Sequence, residues 1–223
     1  LESVGLLEKS ELDVLIKELE RIQNEVIATN NFKIEDGVED VHSQIELMLT
    51  EKLGDIGKKI HSGRSRNDQV LVDLRLFLRE QLQEIKELTK SLFDALISQA
   101  ETYQDVLMPG YTHTQAAMPS SFGMWFSAYG ESLVDDTELL NGAYKVVNRN
   151  PLGSAAGYGS SFPLNRQMTS DLLGFESMVF NSVYAQMGRG KTEQIVASAM
   201  ANLASTLNKM AADVCLYNSQ NFQ

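Results

Sequence analysis

Proline is scarce in this chain, and the long stretches without it constrain the fold more than any other feature. The 223 residues contain only Pro109, Pro119, Pro151 and Pro163. Because proline breaks helix interiors, this spacing favours long helices joined by a few loops. From Asn67 to about Tyr103, apolar residues recur at helical spacing, which predicts a helix roughly 55 Å long at about 1.5 Å per residue.

Four further segments carry a helical pattern. From about Lys191 to Tyr217, apolar positions alternate steps of four and three, as in a bundle or coiled-coil helix. The others are predicted from about Ser120 to Val147, from Lys9 to about Ala28 with Ser10 as N-cap, and from Val38 to about Leu53, ending near Gly54. We see no alternating strand pattern. The prediction is an all-α bundle whose long helices outrun a single-chain core and pack against other subunits.

Composition excludes several classes of function. A formal net charge of −11 argues against nucleic acid as a partner, because phosphate binding needs lysine and arginine. No run of about 20 apolar residues spans a membrane, and no signal segment opens the chain. Cys215 is the single cysteine and cannot form an intrachain disulfide. We expect a soluble, unexported protein of the cytoplasm.

Polar and glycine residues concentrate in three segments between the predicted helices. They are the basic loop, His61–Gln69; the segment Gly110–Gln115; and the glycine loop, Pro151–Ser161. Each adjoins the end of a long helix, and stiff scaffolds often carry reactive groups on such loops. We expect a functional site to be built from these segments.

The three histidines are candidates for acid–base chemistry. His42, His61 and His113 each lie in a polar cluster. Thr112 and Gln115 flank His113 with hydroxyl and amide groups that can orient an imidazole or a substrate carboxylate. Taken singly, each histidine also fits a structural role, as a helix-surface residue, a loop cap or a hydrogen-bonded turn residue.

A substrate with several carboxylates suits the basic loop. Arg64 and Arg66 supply forked donors that match carboxylate geometry, and Asn67 adds an amide. The alternative is a solvated basic surface that continues from Lys58 and Lys59.

Other kinds of site lack the spacing that they need. The histidines are far apart and show no metal-ligand spacing, so no metal is expected. The glycine loop does not follow the Gly-x-Gly-x-x-Gly pattern of dinucleotide sites. No Gly-x-Ser-x-Gly elbow of a serine hydrolase is present.

Two segments resemble the first two signature regions of the argininosuccinate lyase family: His61–Gln69 and Gly110–Gln115. Glu39–His42 and Pro151–Ser154 also look like that family at matching positions, and the resemblance spans roughly Leu12 to Gln223. The run Gly-Arg-Ser-Arg-Asn-Asp-Gln distinguishes this family from the fumarases, aspartases and adenylosuccinate lyases that share its superfamily fold.

The resemblance implies both architecture and reaction. It implies the long-helix bundle of the fumarase/aspartase superfamily, a homotetramer that pools these helices, and active sites shared between subunits. Residues 1–60 would belong to an N-terminal helical domain and 61–223 to the central bundle. The implied reaction splits argininosuccinate into arginine and fumarate. Oriented donors stabilise the transient dianion electrostatically, so no cofactor is expected.

The resemblance also assigns roles to residues. Asn67 and Thr112 would contact substrate, Arg66 would bind a carboxylate, and His113 would transfer a proton as either acid or base. Further substrate-side polar groups would be Arg64, Asp40, His42 and Gln115.

Two further family segments lie outside this sequence. The second proton-transfer residue is a serine in a Gly-Ser-Ser-x-Met-Pro-x-Lys-x-Asn-Pro segment, which would begin shortly after Gln223. The N-terminal portion that contributes a substrate-binding serine is also missing. We therefore expect a central fragment that is inactive by itself.

Three alternatives remain open. A superfamily relative acting on another succinyl compound, such as adenylosuccinate, is the main enzymatic rival. A structural protein of the delta-crystallin kind would keep the fold without activity, and departures from the family pattern occur at Ala155–Gly159 and Tyr184–Gly190. A helical scaffold without chemistry leaves the clustering of the histidines unexplained.

Overall fold

Helices dominate the computed structural model, which describes residues 1–220. Within that range the helices are α1 Lys9–Thr29, α2 Val41–Leu53, α3 Asp55–Lys58, α4 Arg66–Thr102, α5 Phe122–Val147, α6 Arg166–Leu172, α7 Ser182–Met187 and α8 Lys191–Tyr217. Short 3-10 turns lie at Glu2–Val4 and Lys59–His61. The strands are β1 Leu107–Thr112, β2 Gln115–Ser121, β3 Arg149–Asn150 and β4 Ser177–Met178. The predicted all-α class with long helices is confirmed.

The N-cap of one helix and the start of another were predicted wrongly, although α1 begins at Lys9 as predicted. Ser10 is not the N-cap of α1, because Glu8 takes that position and the Glu11 carboxylate accepts the Glu8 N–H at 2.9 Å. Helix α2 begins at Val41 rather than Val38, because the extended Asp40 caps it. The long helices α4, α5 and α8 lie within two residues of their predicted bounds.

The expectation of no strands was wrong at Gly110–Gln115. Strands β1 and β2 form an antiparallel hairpin in which Thr112 pairs with Gln115, and the register shifts between Gly110 and Tyr111. The sequence did not predict this hairpin, because proline, alanine, methionine and serine occupy positions where strands usually carry β-branched or aromatic residues. The two residues of β3 pair in parallel with β4.

The chain divides into two compact units. Unit 1 comprises Leu1–Asp73 and Arg149–Met187, and unit 2 comprises Leu74–Asn148 and the described residues from Gly188 onward. Each unit is therefore assembled from separate stretches of chain. The domains expected from the sequence, 1–60 and 61–223, stay a prediction.

In unit 2, α5 and α8 pack together with the continuation of α4. Their buried apolar residues form one core: Leu82, Leu140, Ala143, Val147, Val196 and Ala199. Burying each leucine side chain fully contributes about 1.5–3 kcal/mol. Arg75 is also buried, and it donates to the Val146 carbonyl oxygen at 2.9 Å and to Thr192 Oγ1 at 3.2 Å. It therefore joins the end of α5 to the start of α8.

The core of unit 1 lies among its N-terminal helices. Leu7, Leu15, Ile22 and Leu49 are buried together. Gly57 permits α3 to approach α2, because a Cβ at this position would lie 2.5 Å from the Leu49 backbone. This packing places the end of α3 close to α2 and leads the chain into the basic loop.

Candidate active site

The predicted site residues fall into both units. Unit 1 contains Asp40, His42, Arg64, Arg66 and Asn67, and unit 2 contains Thr112, His113 and Gln115.

Arg66 is the centre of a polar cluster in unit 1. Its Nε lies 3.0 Å from Asp40 Oδ2, and its Nη1 donates to Gln69 Oε1 at 2.7 Å. Its Nη2 donates to Ser43 Oγ at 3.1 Å and to Glu46 Oε1 at 3.3 Å. The forked donors of Arg66 therefore hold the start of α4 against α2. Its predicted contact with a substrate carboxylate stays a prediction.

Asp40 combines two roles. Its Oδ1 accepts the Ser43 N–H at 2.8 Å and caps α2, while Oδ2 faces Arg66. Burial acts to raise the pKa of Asp40, but the hydrogen bonds from Ser43 and the nearby Arg66 and His42 outweigh it and lower the pKa. The carboxylate is thus held in its charged form.

Both histidines of unit 1 lie beside carboxylates. His42 Nε2 is 2.7 Å from Asp73 Oδ2. His61 Nδ1 is 2.8 Å from Glu46 Oε1, although the two groups are not aligned as a hydrogen bond. Glu46 therefore lies between His61 and Arg66. Glu46 was not among the predicted site residues, although it lies one helical turn after His42, a spacing that places both side chains on one face of α2.

The other two polar residues of the basic loop differ in exposure. Arg64 is half-buried; burial lowers the pKa of its guanidinium, against the opposing effect of the Asp68 carboxylate. Asn67 is exposed in the first turn of α4, where its backbone N–H donates to Ser65 Oγ at 3.3 Å. Asp68 itself is completely buried, and the sequence analysis gave it no role.

The hairpin brings Thr112, His113 and Gln115 together in unit 2. His113 and Thr114 form its two-residue turn, with φ of 52° and 60°. Positive φ at both central positions is typical of a type I′ hairpin turn, which usually carries asparagine and glycine. The side chains of this turn and of its flanking pair Thr112 and Gln115 are exposed. The turn therefore presents His113 at the tip of a hairpin in a strained backbone conformation.

Within residues 1–220, no group of three or more histidine, cysteine or acidic side chains is arranged to hold a metal ion. In the same range, no helix combines the length and apolar character needed to cross a membrane.

The full sequence, residues 1–223, matches the profile of a family described as lyase. The chain belongs to the lyase family. Within this lyase family it is similar to the argininosuccinate lyase of Parabacteroides distasonis, with 68% identity over 222 residues that cover 100% of this chain and 50% of the relative. The argininosuccinate lyase of Bacteroides thetaiotaomicron is 65% identical with the same coverage. The chain spans about half the length of the curated relatives it matches.

Solved lyase structures share the fold. A variant of EDDS lyase with bound fumarate has a TM-score of 0.90 and 29% identity, covering 100% of this chain and 43% of that one. The class II fumarase of Schistosoma mansoni has a TM-score of 0.79 and 16% identity, covering 98% and 54%. The latter likeness bears on the fold alone. The predicted bundle of the fumarase/aspartase type is confirmed.

Proposed function

We propose that the full-length protein containing this chain is an argininosuccinate lyase, a carbon–nitrogen lyase that releases fumarate and arginine. The observation that carries the proposal is the identity of 68% to the Parabacteroides distasonis enzyme across the whole chain. The match includes the basic loop and the hairpin, where the candidate residues lie.

The reaction needs proton transfer and binding of carboxylates. A proton leaves the carbon beside a succinyl carboxylate, the charge delocalises into that carboxylate, and the bond to the guanidino nitrogen breaks as that nitrogen is protonated. His113 takes part in proton transfer, because an exposed imidazole can exchange a proton at modest cost. Thr112 and Gln115 flank it and bind substrate. No cofactor is required for these steps.

Residues of unit 1 bind the carboxylates. Asn67 contacts substrate from the exposed first turn of α4, and Arg64 supplies positive charge. Arg66 has its donors engaged by Asp40, Glu46 and their neighbours, so it binds a substrate carboxylate only by exchanging one of these partners. Asp40 and His42 supply the polar surroundings of that arginine.

A homotetramer is part of the proposal. The long helices of unit 2 expose large apolar side chains, including Phe77 at 57%, Leu88 at 64%, Val134 at 50% and Val214 at 50%. Large apolar side chains exposed on long helices favour burial against other subunits. Light scattering of the full-length protein tests this: a tetrameric mass supports it and a monomeric mass contradicts it. A cytoplasmic location is also proposed, because a chain with a single cysteine fits a reducing compartment.

Fumarate release, followed by ultraviolet absorbance, tests the activity. The full-length protein is assayed in parallel with argininosuccinate and adenylosuccinate. We expect release from argininosuccinate alone. Release from adenylosuccinate alone would establish the rival superfamily lyase, and release from neither would favour a structural relative of the delta-crystallin kind.

A further inference from the structure

Asp68 joins two loops that are far apart in sequence. Its side chain is completely buried in the first turn of α4. Oδ1 accepts the Ser65 N–H at 2.9 Å, while Oδ2 accepts the N–H groups of Gly153 and Ala155, both at 3.0 Å. These last two residues lie 85 and 87 positions away. One carboxylate therefore satisfies three backbone donors and fixes the basic loop to the glycine loop.

Two further side chains donate hydrogen bonds to carbonyl oxygens of the glycine loop. Arg166 Nε donates to the Leu152 carbonyl oxygen at 3.0 Å, and Gln186 Nε2 donates to the Ala155 carbonyl oxygen at 2.9 Å. Gly153 has φ of 90°, and a Cβ there would lie 2.7 Å from the Arg166 side chain. Ala155 has φ of 49°, which is unfavourable for alanine and is maintained by these surrounding contacts.

This arrangement defines the backbone that carries Arg64, Arg66 and Asn67. The Ser65 N–H donates to Asp68 Oδ1, and the Asn67 N–H donates to Ser65 Oγ at 3.3 Å. These reciprocal side chain–backbone hydrogen bonds stabilise the first turn of α4. Because Asn67 directly precedes Asp68, the hydrogen bonds of that carboxylate also restrict the backbone that carries the Asn67 side chain. Site groups need placement to within a fraction of an ångström to bind productively.

We propose that Asp68 is a positioning residue of the lyase site: it holds the first turn of α4 on the glycine loop so that Asn67 faces the substrate carboxylate. The inference rests on the proposed function. Asp68 makes no contact with substrate in this proposal and acts through the backbone of its neighbours.

Replacement by asparagine is the sharpest test. An amide has one acceptor oxygen, so Asp68→Asn keeps either the bond from Ser65 or those from Gly153 and Ala155, and sets an NH2 group against the remaining donors. A matched control is Ser170→Ala. Ser170 is equally buried in unit 1; it accepts from Asn150 Nδ2 at 2.9 Å and donates to the Arg166 carbonyl oxygen at 2.9 Å, so these bonds do not involve the first turn of α4. A role in stability alone predicts the same behaviour from both variants.

The experiment measures KM and kcat for argininosuccinate with full-length wild type, Asp68→Asn, Ser170→Ala and Gln186→Ala. We expect KM to rise about tenfold or more in Asp68→Asn, by a smaller factor in Gln186→Ala, and not in Ser170→Ala. KM reports on folded molecules only, so partial misfolding of a variant lowers apparent kcat without imitating this result. An unchanged KM in Asp68→Asn, or an equal rise in Ser170→Ala, overturns the inference.

Amide hydrogen exchange provides a readout that does not need activity. Exchange at residues 64–69 is expected to accelerate in Asp68→Asn and to remain at the wild-type rate in Ser170→Ala. Equal protection in both variants overturns the inference even in an active enzyme. The wild-type protein separates the two proposals. If it does not cleave argininosuccinate, the proposed function fails, whereas the inference about Asp68 fails only through the variants.

Discussion

The basic loop and the hairpin tip carry equally recognisable sequence segments, but the structure holds them in opposite ways. In the basic loop, Arg66 and Asp68 bond to groups of α2 and the glycine loop. At the hairpin tip, His113 and Thr114 are exposed, and Thr114 Oγ1 donates to the adjacent His113 carbonyl oxygen at 2.6 Å. Arg66 and Asp68 therefore hold helices and loops together, whereas the side chains of the hairpin tip are exposed to solvent.

The basic loop is expected to contribute mainly to stability, and the hairpin tip mainly to chemistry. Substitutions in the basic loop are expected to cost folding free energy, because they leave buried donors or charges unpaired. Substitutions at the hairpin tip are expected to cost little stability. The following changes test this difference.

The largest loss of stability is expected for Asp68→Ala. Three backbone N–H groups would lose their acceptor in a buried site, which costs about 3 kcal/mol or more. Urea unfolding measures the change. Asp171→Ala is the control, because Asp171 is an exposed carboxylate of unit 1 that accepts from Gln167 at 2.8 Å. Equal losses in both variants would contradict the assigned importance of the buried carboxylate.

A smaller loss is expected for Asp40→Ala. The variant removes the cap of α2 and the ion pair with Arg66, which together contribute about 1–2 kcal/mol. The same urea titration measures it. Asp55→Ala serves for comparison, because Asp55 forms a solvent-exposed pair with Lys58 and its loss should leave the urea midpoint almost unchanged. An unchanged free energy of unfolding in Asp40→Ala would mean that the cluster around Arg66 does not stabilise α2.

Acid sensitivity follows from the same residue. Because the folded-state pKa of Asp40 is lowered from 3.8, its contribution is fully present above that value and is lost as pH falls through the lowered pKa. The urea midpoint should therefore decline in that range. Asp40→Asn should decline less steeply than wild type, and parallel pH profiles would show that this carboxylate is not linked to folding.

The smallest effect is expected at the hairpin tip. Thr114→Gly should stabilise the turn by about 0.5 kcal/mol, because glycine adopts the φ of 60° without strain. The gain is small because glycine also loses more conformational entropy on folding than threonine does. Thr114→Ala keeps the Cβ and should show no such gain. A destabilised glycine variant would indicate that the threonine hydroxyl outweighs the backbone strain.

The sequence predicted the parts of the molecule that depend on local pattern. The long helices followed from apolar spacing, and α8 has the predicted bounds of Lys191 and Tyr217. The hairpin did not, because its strands lack the residue types that mark strands. The candidate residues could be named from the family resemblance, whereas the partners Glu46 and Asp68 could not, since their roles depend on contacts between helices and between distant loops.

The most direct test of the account is the turnover of full-length His113→Asn with argininosuccinate. Asparagine accepts positive φ readily, so the variant should keep the turn and its urea midpoint. We expect fumarate release to be slower by about a hundredfold or more, the usual scale for a lost acid–base group. Near-normal turnover would contradict it and would leave the exposed hairpin tip without a chemical role.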